Sequence, residues 1–276
     1  MELCETGVSA PPRFVTAVLA TLGQVHAELG MFSEASRELH SALQIAETLP
    51  AGDERRARVH ESLGVLSLRQ GLRSQAERHL RQSIEILQTA FGSSNSEVAA
   101  VELTLAGVLL QDNRASEAAA LAREARGKLV ATLGAAHPDS IFASVLFGAA
   151  LAESAPLEAE RLLREALAAW LARLPEKHLA VMSIWSALGD AQQALGRTRE
   201  AVASSAKALE IAHAVTGQDS EQTMRSMYRY ADSLKAAKRK KDSTAMLAAA
   251  ERIRSSKGYS DPGRYSIDFQ ALRRRR

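Results

Sequence analysis

The sequence predicts an all-α chain in which six helical hairpins follow one another in series. Three observations carry this prediction. Alanine and leucine supply most of the 46 % hydrophobic content, aromatic residues reach only 4 %, and these two aliphatic residues are among the strongest helix formers. Runs of Val, Ile, Thr and Tyr that would pattern strands are missing. Above all, one apolar pattern returns every 41 or 42 residues, and a repeat of that length is the mark of a stacked array.

The pairs Leu22-Gly23, Leu63-Gly64, Leu105-Ala106, Leu146-Phe147, Leu188-Gly189 and Tyr230-Ala231 mark the middle of the first helix of each hairpin, advancing by 41, 42, 41, 42 and 42 residues. The small residues that open the second helix, Ala35, Ala76, Ala118, Ala159, Ala201 and Ser243, advance in the same steps. A third series, Ala42, Ser83, Ala125, Ala166, Ala208 and Ala250, keeps pace to within one residue. Small residues at these sites let two helices approach closely.

In chain order, residues 1–12 are an N-terminal extension. Repeats follow at about 13–52, 53–95, 96–137, 138–178, 179–220 and 221–257, and residues 258–276 form a basic tail. Within each repeat a helix A, a short turn, a helix B and a longer turn are expected. In the second repeat Val59, Leu63 and Leu66, then Leu80, Ile84 and Leu87, fall at helical spacing on either side of Gln70-Gly71. Gly30, Gly71, Asn113 and Gly196 close helix A, being residues that accept a left-handed backbone. Lys238 stands at that place in the sixth repeat. Gly92, Gly134 and Gly217 close helix B, and Asn95, Asp139 and Asp219 are expected to cap the helices that follow. The tail breaks at Gly258, turns at Asp261-Pro262-Gly263, and offers Tyr265, Ile267 and Phe269 on alternate positions. These three are expected to cap the last helices, with Arg273 to Arg276 left in solvent.

The small–large–small pattern resembles the tetratricopeptide repeat. The long period, with segments such as Leu133-Gly134-Ala135-Ala136-His137-Pro138-Asp139 and Leu209-Glu210-Ile211-Ala212, resembles the variant found in kinesin light chains, and Trp185, Leu188 and Gly189 match the tryptophan, leucine and glycine of the family's helix A. The likeness covers roughly residues 13 to 257 and departs from the pattern at Phe147 and Tyr230. It implies a right-handed superhelical solenoid whose concave surface is lined by helix A, a scaffold that serves many partners. It also implies that repeat six is an atypical capping unit.

Composition narrows the function. The net charge of +3 divides into fifteen Lys/Arg against five Asp/Glu from Arg225 onward, leaving −7 for residues 1–224. Cys4, the lone cysteine, can form no internal disulfide and no multi-cysteine zinc site. No cationic stretch followed by an apolar run opens the chain, and no apolar run approaches the roughly 18 residues that span a bilayer. A cytoplasmic protein without membrane contact is expected. The seven histidines, His26, His40, His60, His79, His137, His178 and His213, show no zinc-ligand spacing, since His60-Glu61 is followed by Gly64 where a second ligand would stand. The glycines recur at the repeat period and form no phosphate loop, and no Gly-x-Ser-x-Gly elbow is present. No enzyme, no cofactor and no metal are expected.

The resemblance places the binding surface on helix A. It assigns Arg58, Glu61 and Arg69 in the second repeat, and Ile141, Ser144, Gly148, Leu151 and Ala152 in the fourth. The fifth repeat contributes Ser186 and Asp190 and the sixth Arg225, Tyr228, Asp232 and Lys235, with Arg229 one turn from Arg225. The groove is then small and apolar in the middle and charged at its ends. The carboxylate clamp of chaperone-binding relatives is absent, because its positions carry Ala20, Gln24, Ser62, Ala100 and Thr104. The first expectation is a protein-interaction scaffold gripping a peptide or helix, with Arg225 and Arg229 flanking Tyr228 and with Ser186 and Asp190 opposite. The alternative is nucleic-acid or acidic-surface binding by Lys235, Lys238, Arg239, Lys240, Lys241 and the terminal arginines. It is disfavoured by the acidic body and the scarcity of aromatic residues beside that cluster.

Overall fold

The computed structural model describes residues 10–173 and 175–259. Cys4, the apolar tail residues Tyr265, Ile267 and Phe269, and the terminal arginines lie outside the described residues. Among those described, every regular element is an α-helix. The twelve are α1 Pro12–Glu28, α2 Phe32–Ala46, α3 Glu54–Arg69, α4 Arg73–Phe91, α5 Ser96–Gln111 and α6 Ala115–Leu133, followed by α7 Pro138–Leu151, α8 Pro156–Leu171, α9 Leu179–Ala194, α10 Thr198–Thr216, α11 Glu221–Ala236 and α12 Lys240–Lys257. They form six helix-turn-helix units in series. Two compact units divide the chain, residues 1–108 and 109–276, with the division inside α5.

One turn ends helix A in five of the six repeats. The residue in the left-handed region is Gly30, Gly71, Asn113 (φ 59), Gly196 or Lys238 (φ 61). The next amide reaches back five residues to a helical carbonyl, as in Leu72 N–H to Ser67 O at 2.8 Å, Arg114 to Leu109 at 2.9 Å and Arg239 to Leu234 at 2.9 Å. Carbonyls that would otherwise be orphaned at the helix end are thereby satisfied.

Five helices are capped in a rhythm of their own. Asp53, Asn95, His137, His178 and Ser220 accept hydrogen bonds from the backbone N–H of Arg55 (3.0 Å), Glu97 (2.7 Å), Asp139 (3.2 Å), Ala180 (3.1 Å) and Thr223 (3.1 Å). Asn95 is the cap the sequence proposed; Asp139 and Asp219 are replaced by their neighbours His137 and Ser220. A cap must sit on extended backbone just before the first helical residue. His137 (ψ 141) and Ser220 (ψ 159) do so, whereas Asp139 already lies inside α7.

In the first unit, Val59, Leu63 and Leu66 of α3 pack against Ala20 and Ala27 of α1 and Leu39, Ala42 and Ala46 of α2. Close approach explains the central glycines: a Cβ on Gly23 would lie 2.6 Å from Leu39 Cγ, and one on Gly64 2.9 Å from Leu80 Cγ. In the second unit Leu146, Leu163, Ile184, Leu188, Ile211 and Leu234 are buried almost completely. Met224, Ala250 and Ile253 form the last cluster, with Met227, Tyr228 and Tyr259 against it.

The fourth repeat corrects the sequence alignment by one residue. There the helix facing Leu163 Cγ at 2.9 Å is approached by Gly148, not Phe147. Gly148 is thus the counterpart of Gly23 and Gly64, and Phe147 takes the apolar place of Leu63. The cause is the turn that follows. Ala152 to Ala155 contain no left-handed residue, and Ala155 N–H bonds Leu151 O four residues back at 2.8 Å, so the turn is one residue shorter than its counterparts. The lining positions assigned as Ile141, Ser144, Gly148, Leu151 and Ala152 accordingly move to Phe142, Val145, Ala149, Ala152 and Glu153.

Candidate interaction surface

In the first unit, helix A of repeat two bonds back to helix A of repeat one. Gln24 Nε2 donates to Ser62 Oγ at 2.7 Å, and Arg69 Nη1 donates to Ala27 O, near the end of α1, at 3.1 Å. Arg69 is therefore tied to the preceding repeat. Arg58 is exposed and Glu61 half-buried on the same helix.

Beside them lies a pair of histidines on the inside of the hairpin. His60 Nδ1 stands 3.1 Å from His79 Nδ1. Burial, then the nearness of His79 and Arg56, pushes His60 down to about 4. His79 is also lowered, by burial and then by Arg78 and His40. One ring donates and the other accepts, and only protonation of both rings removes the acceptor.

In the second unit α7 packs on α9 and α9 on α11, and their helix-A positions form one face. Asp190 of α9 is held by Arg229 Nη1 of α11. Burial raises the Asp190 carboxyl above the ordinary aspartate range, against the lowering charge and hydrogen bond of Arg229, and Asp232 and Glu153 raise it further. Asp190 is thus paired with Arg229 and lies close enough to Asp232 and Glu153 to be influenced by their charges. Ser183 and Ser186 continue the α9 stripe and are buried; Ser183 Oγ has no hydrogen-bond partner.

The remaining expected residues do not converge on this point. Arg225 turns to Glu221 on its own helix, with Nε at 3.1 Å from Oε1. Tyr228 donates to Glu251 Oε2 of α12 at 2.7 Å. That bond and, more strongly, Arg254 hold the Glu251 carboxyl at about 2. Lys235 is exposed at the end of α11. The structure therefore brings Asp190 and Arg229 together, with Asp232 beside them, and sends Arg225 and Tyr228 elsewhere. Glu153 was missed by sequence because of the one-residue shift in repeat four; the missing Gly or Asn after α7 was the readable signal.

A second charged cluster serves structure. Buried Glu160 of α8 accepts from Arg164 Nη2 at 2.8 Å and from Arg197 Nη1, in the turn before α10, at 2.7 Å. Burial alone would raise its carboxyl, but the Arg164 hydrogen bond and the two guanidinium charges outweigh that and lower it. Among the described residues no group of three or more His, Cys, Asp and Glu side chains could hold a metal ion, and no helix is long and apolar enough to cross a membrane.

Tetratricopeptide-repeat family models match residues 15–89 and 183–213. No curated protein matches the sequence significantly. Among solved structures, a putative kinesin light chain of Podosopora anserina with nearly identical TPR-like repeats is 20 % identical, with a TM-score of 0.55, covering 74 % of this chain and 97 % of that one. BtubC (BKLC) of P. vanneervenii is 19 % identical, with a TM-score of 0.59 and coverage of 86 % and 95 %. NprR in complex with its cognate peptide NprX is 10 % identical, with a TM-score of 0.71 and coverage of 92 % and 71 %. The repeat rhythm, the helix-A turns, the family matches and these shared folds agree: the chain carries tetratricopeptide repeats at residues 15–89 and 183–213, and it shares the helical-repeat fold of the kinesin-light-chain-like structures.

Proposed function

We propose that the protein is a non-catalytic interaction scaffold that holds a peptide or helix of a partner on the helix-A face of its second unit. The observation that carries this reading is the Asp190–Arg229 pair with Asp232 and Glu153 around it. Charges placed on the inner helices are fixed by the fold, at a cost in desolvation that the hairpins' own stability does not require. With Asp232 and Glu153 adding negative charge near the Asp190–Arg229 pair, the group this site receives is a lysine, an arginine or a run of backbone N–H donors. The NprR neighbour, which holds a peptide in its own structure, supports a peptide ligand by shared fold alone.

The second reading is phosphate or acidic-surface binding by Lys235, Lys238, Lys240 and Lys241, all exposed around the α11–α12 turn. Affinity capture from nuclease-treated native lysate separates the two. A protein partner retained by the wild type and lost by the combined Asp190→Ala and Arg229→Ala variant supports the scaffold. Binding that vanishes with nuclease, and otherwise falls steeply with salt, supports the basic turn.

A further inference from the structure

Helix A of the first repeat exposes a face that the other repeats bury. In α3, Val59, Leu63 and Leu66 are at most 3 % exposed, covered by the α1–α2 hairpin. In α1 the same positions are Val18, Leu22 and Val25, exposed at 40 %, 43 % and 47 %, and Phe14 (63 %) and Leu29 (69 %) lengthen the stripe at both ends. Steps of four, four, three and four residues keep all five on one side of the helix. Polar side chains of α1 are engaged elsewhere, His26 with Glu38 and Gln24 with Ser62. Together with Met31 and Phe32 (40 % and 36 % exposed), the apolar surface left open is about 600 Å², the upper limit for one patch on a monomer.

We propose that this face is a dimer interface, with α1 of one copy laid antiparallel on α1 of a second copy about a two-fold axis near Leu22. The repeat itself shows what such a face accepts: apolar helix surface built from leucine and alanine. The opposite edge of the chain does not offer it. The α12 counterparts of Leu39, Leu43 and Ala46 are Leu247, Glu251 and Arg254, the last two ion-paired to each other. Head-to-tail stacking would bury that pair against the stripe, which is unfavourable; α1 against α1 buries only apolar side chains. Two such faces bury about 1,200 Å² in total, the lower bound for a specific interface.

The test is sedimentation velocity on the full chain from low to high micromolar concentration. The wild type passes from monomer to dimer and stops there. Leu22→Glu and, separately, Leu29→Glu weaken association at least about 100-fold while circular dichroism is unchanged, since both side chains are solvent-exposed. Leu22→Cys in a Cys4→Ser background gives a disulfide-linked dimer on mild oxidation. A wild type monomeric throughout, with α1 slow in hydrogen exchange, would mean that the chain's own N-terminal segment covers the stripe and would overturn the proposal. So would assemblies that grow beyond the dimer and are blocked by Leu247→Glu, the signature of head-to-tail stacking.

Discussion

Replacing Gly64 and Gly189 with alanine, at equivalent places in repeats two and five, is expected to change stability in opposite directions. A Cβ on Gly64 would stand 2.9 Å from Leu80 Cγ and 3.0 Å from Leu80 Cδ2. Leu80 is fully buried, so relief requires α3 and α4 to separate. Overpacking of this kind costs about 1–3 kcal/mol, and the helix-propensity gain of alanine over glycine returns only about 0.5–1 kcal/mol. Gly64→Ala is thus expected to destabilise its hairpin by about 1 kcal/mol. A Cβ on Gly189 would meet Ala201 O at 3.5 Å and Ser205 at 3.6 Å or more, which is ordinary contact because a serine replaces the leucine of repeat two. There the propensity gain stands alone, and Gly189→Ala stabilises by about 0.5–1 kcal/mol. Repeat arrays need not unfold in one step, so the assay is native-state hydrogen exchange read separately on α3–α4 and α9–α10. Loss of protection in both hairpins would refute the reasoning, since it would mean that interhelical distance is not what separates the two sites.

Three further outcomes follow from named contacts. His60, lowered to about 4 in the fold from near 6.5 in the unfolded chain, makes the unfolded state bind more protons between those values. Stability is therefore full above about pH 6.5 and falls on acidification toward pH 4, by about 2 kcal/mol for the half-enclosed pair; His60→Leu should flatten that part of the melting-temperature profile. Lys238 occupies a left-handed backbone that four other repeats assign to Gly or Asn, so Lys238→Gly should stabilise repeat six by about 0.5–1 kcal/mol in chemical denaturation. Glu160→Gln weakens two charge-assisted bonds at a buried site and should destabilise the α8–α10 region by about 2 kcal/mol, seen as faster exchange there.

Much of the fold was legible because the features that specify a helical repeat are local. Apolar spacing, small residues at helix crossings and left-handed turn residues all stand in the chain, and they led to six hairpins with Gly30, Gly71, Asn113 and Gly196 at the turns where the structure has them. Register within repeat four was not legible from an alignment on Leu146, because a turn shortened by one residue moves every helix-A side chain by about 100°. The caps were misread at Asp139 and Asp219 for a related reason: composition marked the right turn, but backbone geometry chooses which residue in it accepts. In the candidate site, the family resemblance placed Asp190 and Arg229 on the inner helices of neighbouring repeats. It could not tell that Arg225 would find Glu221 along its own helix or that Tyr228 would turn to α12, since those outcomes depend on which neighbour lies within reach. The exposed stripe of α1 reads in sequence like any core face.

The scaffold reading is tested most directly by hydrogen–deuterium exchange of the protein with and without a captured partner. The account predicts slowed exchange on α9 and α11 around Ser186, Asp190 and Arg229, with α7 near Glu153 joining them and α12 unchanged. Protection confined to the Lys235–Lys241 turn, with α9 unaffected, would contradict it.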